Sequence, residues 1–158
     1  MAQQRRVTTI LLALGVGLAV SVGGAVAEGP GAKAVAARQA KFKELGGAFK
    51  TINDQLKTDA PDKAAIAASA KKMQALAAAE ASWFPRGSGP EAGVKTAAKS
   101  EIWSDAPGFA AAVKTLQAET GKLNTLAAAG DLDGVKAQTR AVGGACKACH
   151  DKYRVPQK

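Results

Sequence analysis

The sequence contains a single histidine and only two cysteines among its 158 residues. A structural zinc ion takes four ligands, and these three side chains leave it without an evident fourth. A thioredoxin-like thiol pair requires a βαβ context, and no strand pattern occurs in this chain. A plain disulfide would leave the histidine beside it unexplained. The scarcity of these residues therefore argues against a zinc site, a redox dithiol and a purely structural disulfide.

Aromatic residues make up only 4% of the chain, and clusters of β-branched residues are missing outside the N-terminal segment. The abundant alanine and lysine are instead typical of helices. The formal net charge is +9, but the cations are spread along every segment and form no basic block. The composition predicts a single all-α domain with a mildly positive, solvated surface and no nucleic-acid partner. Such a surface favours acidic redox partners without specifying one.

The N-terminal segment has the composition of an export signal. Arg5 and Arg6 precede an uncharged, largely apolar run that ends in Ala-Val-Ala at residues 25–27. A retained membrane anchor is the alternative, because the run is just long enough to span a bilayer, but its glycines and small-residue end favour cleavage. We expect residues 1–27 to be a cleaved signal peptide and residues 28–158 to be one periplasmic domain, without a membrane association after cleavage.

Four segments of the remaining chain carry apolar residues in steps of three and four, at about 33–56, 62–81, 105–129 and 131–153. Such seams are typical of helices that pack nearly parallel or antiparallel to one another. Two connections are short and one, at about 84–104, is a longer crossover. The pattern therefore predicts an antiparallel up-down-up-down four-helix bundle. Its expected helix ends are an N-cap at Ser104 or Asp105, a C′ residue at Gly130 and an N-cap at Asp131.

Near the C-terminus the chain reads Cys146-Lys147-Ala148-Cys149-His150. This order is typical of c-type haem attachment. Two thiols at this spacing can add to the two vinyl groups of one porphyrin, and the imidazole that follows can ligate the iron. On a helix these three side chains share a face, and both cysteines fall on the inward seam of the fourth helix. We therefore predict one covalent haem c in the bundle core, with His150 as the metal ligand.

Two residues of the predicted core have more than one interpretation. Arg38 lies on the buried-facing stripe of the first helix, four residues before Phe42. It either extends to solvent at the end of the bundle or pairs with a haem propionate. Met73 could ligate iron, but a methionine on an apolar helix stripe is usually a core residue, and we predict core.

Glycines and tryptophans raise two further questions. Gly46-Gly47 either weakens the first helix locally or allows something to pack closer than a Cβ would permit. Trp83 and Trp103 flank the crossover, where indoles more often cover a core than belong to a cofactor site.

The whole pattern resembles cytochrome c′, a class II c-type cytochrome. The resemblance depends on Arg38-Gln39, on the segment Glu101-Ile102-Trp103-Ser104-Asp105, and on residues 146–154. It implies that Cys146 and Cys149 carry thioethers and that His150 is the proximal iron ligand. It also implies that Arg38 and Gln39 contact the haem edge and propionates.

The same resemblance assigns three further positions. Arg154 matches a basic residue beside the proximal pocket. Thr96 falls near a position that contacts haem, although Ser100 stands where relatives commonly have proline. Phe42 occupies the slot over the distal face where low-spin relatives place a ligating methionine.

Phenylalanine cannot coordinate iron, so the resemblance implies a five-coordinate, high-spin haem. Such a protein binds nitric oxide and, less readily, carbon monoxide, transfers single electrons, and is not an enzyme. The resemblance also implies a homodimer through the first two helices, with an unknown redox partner. The alternative is a low-spin His/Met electron carrier of the same class, which would need Met73 or another group at the iron. A peroxidase is disfavoured because the chain lacks a distal histidine or arginine to cleave an O–O bond.

Overall fold

The structure, a computed structural model, describes residues 29–156. The expected signal peptide at residues 1–27 lies outside these residues. The helices are α1 (Pro30–Gln55), α2 (Lys63–Ala79), the short α3 (Glu101–Ser104), α4 (Ala106–Ala128) and α5 (Leu132–Tyr153). Single 3₁₀ turns at Glu80–Trp83 and Pro90–Ala92 lie between α2 and α3. The described residues otherwise form turns, loops and one isolated bridge between Ala98 and Arg154.

Aspartates set the starts of three of these helices. Asp62, Asp105 and Asp131 each accept a hydrogen bond from the backbone amide three residues later. This arrangement confirms the predicted cap at Asp131 and selects Asp105 over Ser104. Gly130 has a φ of 70°, the left-handed conformation predicted for the residue after a helix end. The helix ends were therefore readable from local side-chain chemistry.

Removal of one cap should have a measurable cost. We expect Asp131→Ala to lower the free energy of unfolding by about 1 kcal/mol, because the Gly134 amide loses its acceptor. Asp131→Asn keeps an acceptor oxygen and should retain most of the stability. Urea unfolding of the two variants measures the difference, and equal losses would contradict a capping role.

The four long helices pack in chain order, with α1 on α2, α2 on α4 and α4 on α5. The core extends to the two short turns, where Ile52, Ile66, Leu123 and Val135 are almost completely buried. By contrast, α1 and α5 make few contacts with each other. The predicted four-helix bundle is confirmed, and it is open along one side, between its first and last helices.

The glycine pair of α1 does not interrupt the helix. α1 runs unbroken through Gly46 and Gly47, and a Cβ at either position would meet no atom of the described residues within 4 Å. No atom of the described residues therefore needs the missing side chains, and a close approach by a cofactor or a second subunit stays a prediction. In the part of the chain that the structure describes, no helix combines the length and apolar character needed to cross a bilayer.

Candidate haem-binding cleft

A cleft of about 1430 Å³ lies where α1 and α5 separate. It is larger than the roughly 300–1,000 Å³ of an ordinary small-ligand pocket. Its inner wall is apolar and is contributed by all four long helices, the crossover and α3. The large apolar side chains that line it are Phe42, Leu45, Phe49, Met73, Phe84, Ile102, Phe109 and Leu116.

The three residues of the predicted attachment motif all line this cleft from α5. Cys146 and Cys149, from here on the attachment cysteines, are half-buried free thiols, and His150 lines the cleft with part of its side chain exposed to solvent. The helix therefore presents the motif on one side, as the i, i+3, i+4 spacing predicted. The structure brings the two thiols and the imidazole into one apolar cleft.

Burial controls the protonation of these groups. It raises the pKa of Cys149 to about 11 and raises that of Cys146, with the charge of Glu80 adding to both effects. The partial burial of His150 and the positive charge of Arg154 lower the pKa of the imidazole, whereas the negative charge of Asp151 raises it. At neutral pH the thiols are therefore protonated and the imidazole is neutral. A neutral imidazole is the form that ligates a metal.

Arg38 lies in the wall of the cleft and is only 3% exposed. Its Nη1 donates to Ser88 Oγ at 2.9 Å, and its Nη2 donates to Ser88 O at 2.6 Å and to Thr96 Oγ1 at 2.8 Å. The guanidinium carbon lies 5.0 Å from the centre of the Phe84 ring. The interpretation of Arg38 as a side chain that extends to solvent is therefore wrong, because the crossover covers it.

The charge of Arg38 lacks a close counter-ion in the described part of the chain, where none of the ion pairs includes it. Desolvation accordingly lowers its pKa, and only the more distant Glu91 opposes this effect. A buried cation is costly unless it is paired. An anionic group entering the cleft would complete its environment.

Two other predicted site residues are placed beside Arg38. Thr96 accepts the Arg38 hydrogen bond and a second one from the Ala98 amide. Gln39 is exposed and donates from Nε2 to the Lys95 carbonyl at 3.1 Å. The structure thus joins α1 to the crossover at the cleft. The position of Thr96 relative to the haem contacts of the family could not be fixed from the sequence of the crossover.

The bonds of Arg38 make a second stability prediction. We expect Arg38→Met to lower the free energy of unfolding by roughly 1–3 kcal/mol, because Ser88 and Thr96 lose their partner inside the wall. Gln39→Ala removes a single exposed bond and should cost much less. Thermal or urea unfolding compares the two, and a neutral Arg38→Met would show that the buried bonds do not stabilise the crossover.

Phe42 lies on α1 in a set of packed aromatic rings. Its ring centre is 5.1 Å from that of Trp83, edge to face, and 6.1 Å from that of Phe84. Trp83 is buried, and Trp103 donates from Nε1 to the Phe84 carbonyl at 3.1 Å. Both indoles therefore cover the aromatic wall, as predicted. Their packing holds the Phe42 ring in the cleft lining.

Met73 is 1% exposed and packs in the main core, so the core prediction is confirmed. Its side chain also reaches the inner wall of the cleft. Arg154 lines the cleft at the other end, where its amide donates to the His150 carbonyl and its backbone pairs with Ala98. All eight predicted site residues therefore line one cleft.

Two residues of the site were missed by sequence reasoning. Ser88, which bonds Arg38, is fully buried in the crossover, and no periodic signal marks it. Glu80 is 3% exposed in the cleft wall, and burial raises its pKa to about 7. Its place on the apolar stripe of the second helix, after Met73 and Ala77, was the signal that could have identified it.

The end of α5 is fixed to the start of α4 by polar contacts. Tyr153 donates from its hydroxyl to Asp105 Oδ2 at 2.8 Å, and Lys152 forms an ion pair with the same carboxylate at 2.6 Å. These contacts lower the pKa of Asp105. The helix that carries the attachment motif is thereby held in register with its neighbour.

The chemistry of the cleft fits a covalently held haem. An apolar wall suits the porphyrin, two thiols are available for its vinyl groups, and an imidazole stands beside them. The unpaired, buried guanidinium of Arg38 suits an anionic propionate. At Gly143 an added Cβ would lie 3.8 Å from the Phe49 ring, an ordinary van der Waals contact, so α1 and α5 approach each other at this glycine.

Comparison with known proteins agrees with this chemistry. The family model described as Cytochrome C′ matches residues 33–154. The cytochrome c′ of Alcaligenes xylosoxydans xylosoxydans is 38% identical over 122 residues, which cover 77% of this chain and 92% of that protein.

Solved structures are similar over the same region. A nitric oxide complex of a mutant cytochrome c′ from Alcaligenes xylosoxidans has a TM-score of 0.72 at 34% identity, covering 80% of this chain and 97% of that one. A cytochrome c′ with an unusual ligand-controlled dimer dissociation has a TM-score of 0.74 at 26% identity, covering 78% and 95%. The chain therefore belongs to the cytochrome c′ family, whose members bind covalent haem c.

Proposed function

We propose that this protein is a periplasmic, five-coordinate, high-spin haem protein that binds nitric oxide and, less readily, carbon monoxide, and that transfers single electrons. Cys146 and Cys149 hold the haem through thioethers, and His150 is the single protein ligand of the iron. When bound, the haem supplies one open coordination position and a one-electron couple. Support comes from the nitric oxide complex of a similar protein and from the cleft lining.

The observation that carries the proposal is the lack of a second imidazole that could ligate the iron. The chain has one histidine, and the large apolar side chains that α1 contributes to the cleft are Phe42, Leu45 and Phe49, beside the polar Arg38, Gln39 and Lys43. An apolar wall excludes water and offers no hydrogen bond to a polar ligand. The packed rings around Phe42 also leave little freedom for a bulky ligand. These residues favour a small, uncharged gas.

Around the proposed haem, four polar residues have positioning roles. Arg38 and Gln39 hold the haem edge and propionates from α1, and Thr96 supports the guanidinium from the crossover. Arg154 stands on the same side as His150 and lowers the pKa of that imidazole. A neutral imidazole keeps its lone pair free for the metal.

Ligand titrations of the reduced protein test the proposal. We expect nitric oxide to shift the absorption spectrum at low concentration, carbon monoxide to do so at much higher concentration, and imidazole to leave it unchanged. The small gases and the bulky base differ in size and basicity, so the three titrations separate a crowded site from an open one. A protein that binds imidazole as readily as carbon monoxide would contradict the proposal.

A low-spin carrier with Met73 as second iron ligand is the alternative function, and one observation favours it. Met73 is the only methionine after the expected signal peptide, and it reaches the cleft wall. A Met73→Leu variant separates the two functions because leucine fills similar volume but cannot coordinate. Under our proposal the visible spectrum stays unchanged, whereas a ligating methionine would be lost from it.

We further propose a homodimer through α1 and α2, supported by the dimer described for a similar protein. A shallow groove between these helices is lined by the small residues Gly47, Ala48 and Ala68 and by the ion pair of Glu44 with Lys72. Small side chains allow a partner helix to approach closely. Ala68→Arg should yield monomers in analytical ultracentrifugation, whereas Thr115→Arg on the exposed face of α4 should not. If both variants remained dimers, the interface would not lie on the groove between α1 and α2.

The location and the domain limits form the last part of the proposal. Export with cleavage after Ala27 would place the mature domain, residues 28–158, in the periplasm. N-terminal sequencing of the protein from a periplasmic extract should begin at Glu28. Recovery from the membrane fraction with residues 1–27 still present would instead indicate an anchor.

A further inference from the structure

A buried carboxyl group in the cleft wall has no role in the function proposed above. Glu80 follows α2 directly, is 3% exposed, and lines the cleft with the attachment cysteines. Its Oε2 atom has no hydrogen-bond partner among the described residues. Buried polar groups normally have one, so this unpaired oxygen calls for an explanation.

Cations on α1 and in the crossover do not neutralise this carboxyl. Arg38, Lys43 and Lys95 are the cleft-lining cations of these elements, and Arg38 is bound to Ser88 and Thr96 instead. The long helices α2 and α4 contribute only the apolar Met73, Phe109 and Leu116 to the cleft. No ion pair of the described residues includes Glu80.

The charged side chains of α5 that line the cleft likewise form no ion pair with Glu80. Lys147 pairs with Asp151, and the hydroxyl of Tyr153 donates to the N-cap of α4. The charges that act on His150 are those of Arg154 and Asp151. Burial alone therefore governs the carboxyl of Glu80, and it raises the pKa to about 7. The group can change its charge near neutral pH, where a solvated glutamate cannot.

The field of Glu80 reaches the place where the cofactor is tethered. Its negative charge raises the pKa of both attachment cysteines, and linkage between two charged sites acts in both directions. An electron that enters the cleft adds negative charge beside a poorly solvated carboxylate. The repulsion between them is strong in an environment of low dielectric, and it is removed if the carboxylate is protonated.

We propose that Glu80 is the proton acceptor that accompanies electron uptake by this protein. When one electron enters the cleft from a single-electron donor, the Glu80 carboxylate takes one proton from water. When the electron leaves to an acceptor, the carboxyl group returns the proton to water. The charge of the cleft is then the same before and after each transfer. The inference depends on the proposed function, because it requires a one-electron couple in the cleft.

The pH dependence of the midpoint potential of the haem-loaded protein tests this proposal. Coupling of one proton to one electron lowers the potential by up to about 59 mV per pH unit, and we expect such a slope around neutral pH. Glu80→Gln keeps the size of the side chain without its charge and should flatten the slope. Glu80→Leu should do the same. The exposed Asp133→Asn, at the far end of α5, should leave the slope unchanged.

An infrared difference spectrum of the reduction step gives an independent readout that needs no variant. We expect a protonated-carboxyl band to appear when the natural protein is reduced near neutral pH. Lack of that band overturns the proposal, and so does a slope that survives in Glu80→Gln or Glu80→Leu. A low-spin spectrum would overturn the proposed gas-binding site alone, because it bears on the iron ligands and not on the proton.

Discussion

Replacing Phe42 by alanine should raise the affinity of the reduced protein for carbon monoxide roughly 10- to 100-fold. The ring lines the cleft and is held against Trp83 and Phe84. A ligand that must displace such a ring meets an overpacking cost of roughly 1–3 kcal/mol, and each 1.4 kcal/mol is about a factor of ten in affinity. Alanine removes the obstacle while α1 keeps its backbone. Carbon monoxide titration monitored by absorption measures the change.

Phe49→Ala is the matched control for this variant. Phe49 lies on the same helix, two turns further on, is half-buried like Phe42, and lines the same cleft. The Phe49→Ala variant therefore loses a similar area of packed surface but leaves the Phe42 ring in place beside Trp83. An equal gain in affinity in both variants would show general loosening of the bundle. No gain in Phe42→Ala would show that this ring does not restrict the ligand.

Stability should depend strongly on pH through Glu80. Burial raises its folded-state pKa to about 7, from an ordinary value of 4.5. Between these values the folded protein holds a proton that the unfolded chain has released, so the free energy of unfolding falls as pH rises. This loss of stability begins near the ordinary pKa of a glutamate and is complete above the folded-state pKa of Glu80. At roughly 1.4 kcal/mol per pH unit, the gap corresponds to about 3 kcal/mol.

Urea unfolding at acidic and at mildly alkaline pH measures this loss. Glu80→Gln and Glu80→Leu carry no charge to bury, so both should be more stable than the natural protein at alkaline pH and should lose little between the two conditions. Asp133→Asn changes an exposed carboxylate and should keep the natural pH dependence. A natural protein that is equally stable under both conditions would show that the Glu80 carboxylate is solvated or paired.

Local chemistry made much of the fold predictable. The seams in steps of three and four predicted the four long helices, because each helix buries one stripe. Asp131 and Gly130 marked a helix boundary because capping depends only on neighbouring backbone groups. The sequence also predicted that the attachment cysteines share one inward face of α5, because their spacing of three residues matches the helical period, and the structure places both in the cleft lining.

The polar wall of the site could not be predicted in this way. Arg38 bonds Ser88 and Thr96, which lie 50 and 58 residues further along the chain. Those partners belong to an irregular crossover, which has no period to read and is placed only by tertiary contacts. The stripe position of Arg38 predicted that it needed a partner, but not that serine and threonine would supply it. Glu80 likewise continues the apolar stripe of the second helix in the sequence, but that position did not predict that its carboxyl group would be buried without a partner.

The coordination of the iron is the central claim, and absorption and resonance Raman spectra of the purified ferric and ferrous protein test it most directly. We predict a high-spin, five-coordinate signature in the reduced state, because His150 is the only histidine, Met73 packs in the main core and Phe42 cannot bind a metal. A low-spin spectrum with a methionine-to-iron band would contradict the claim.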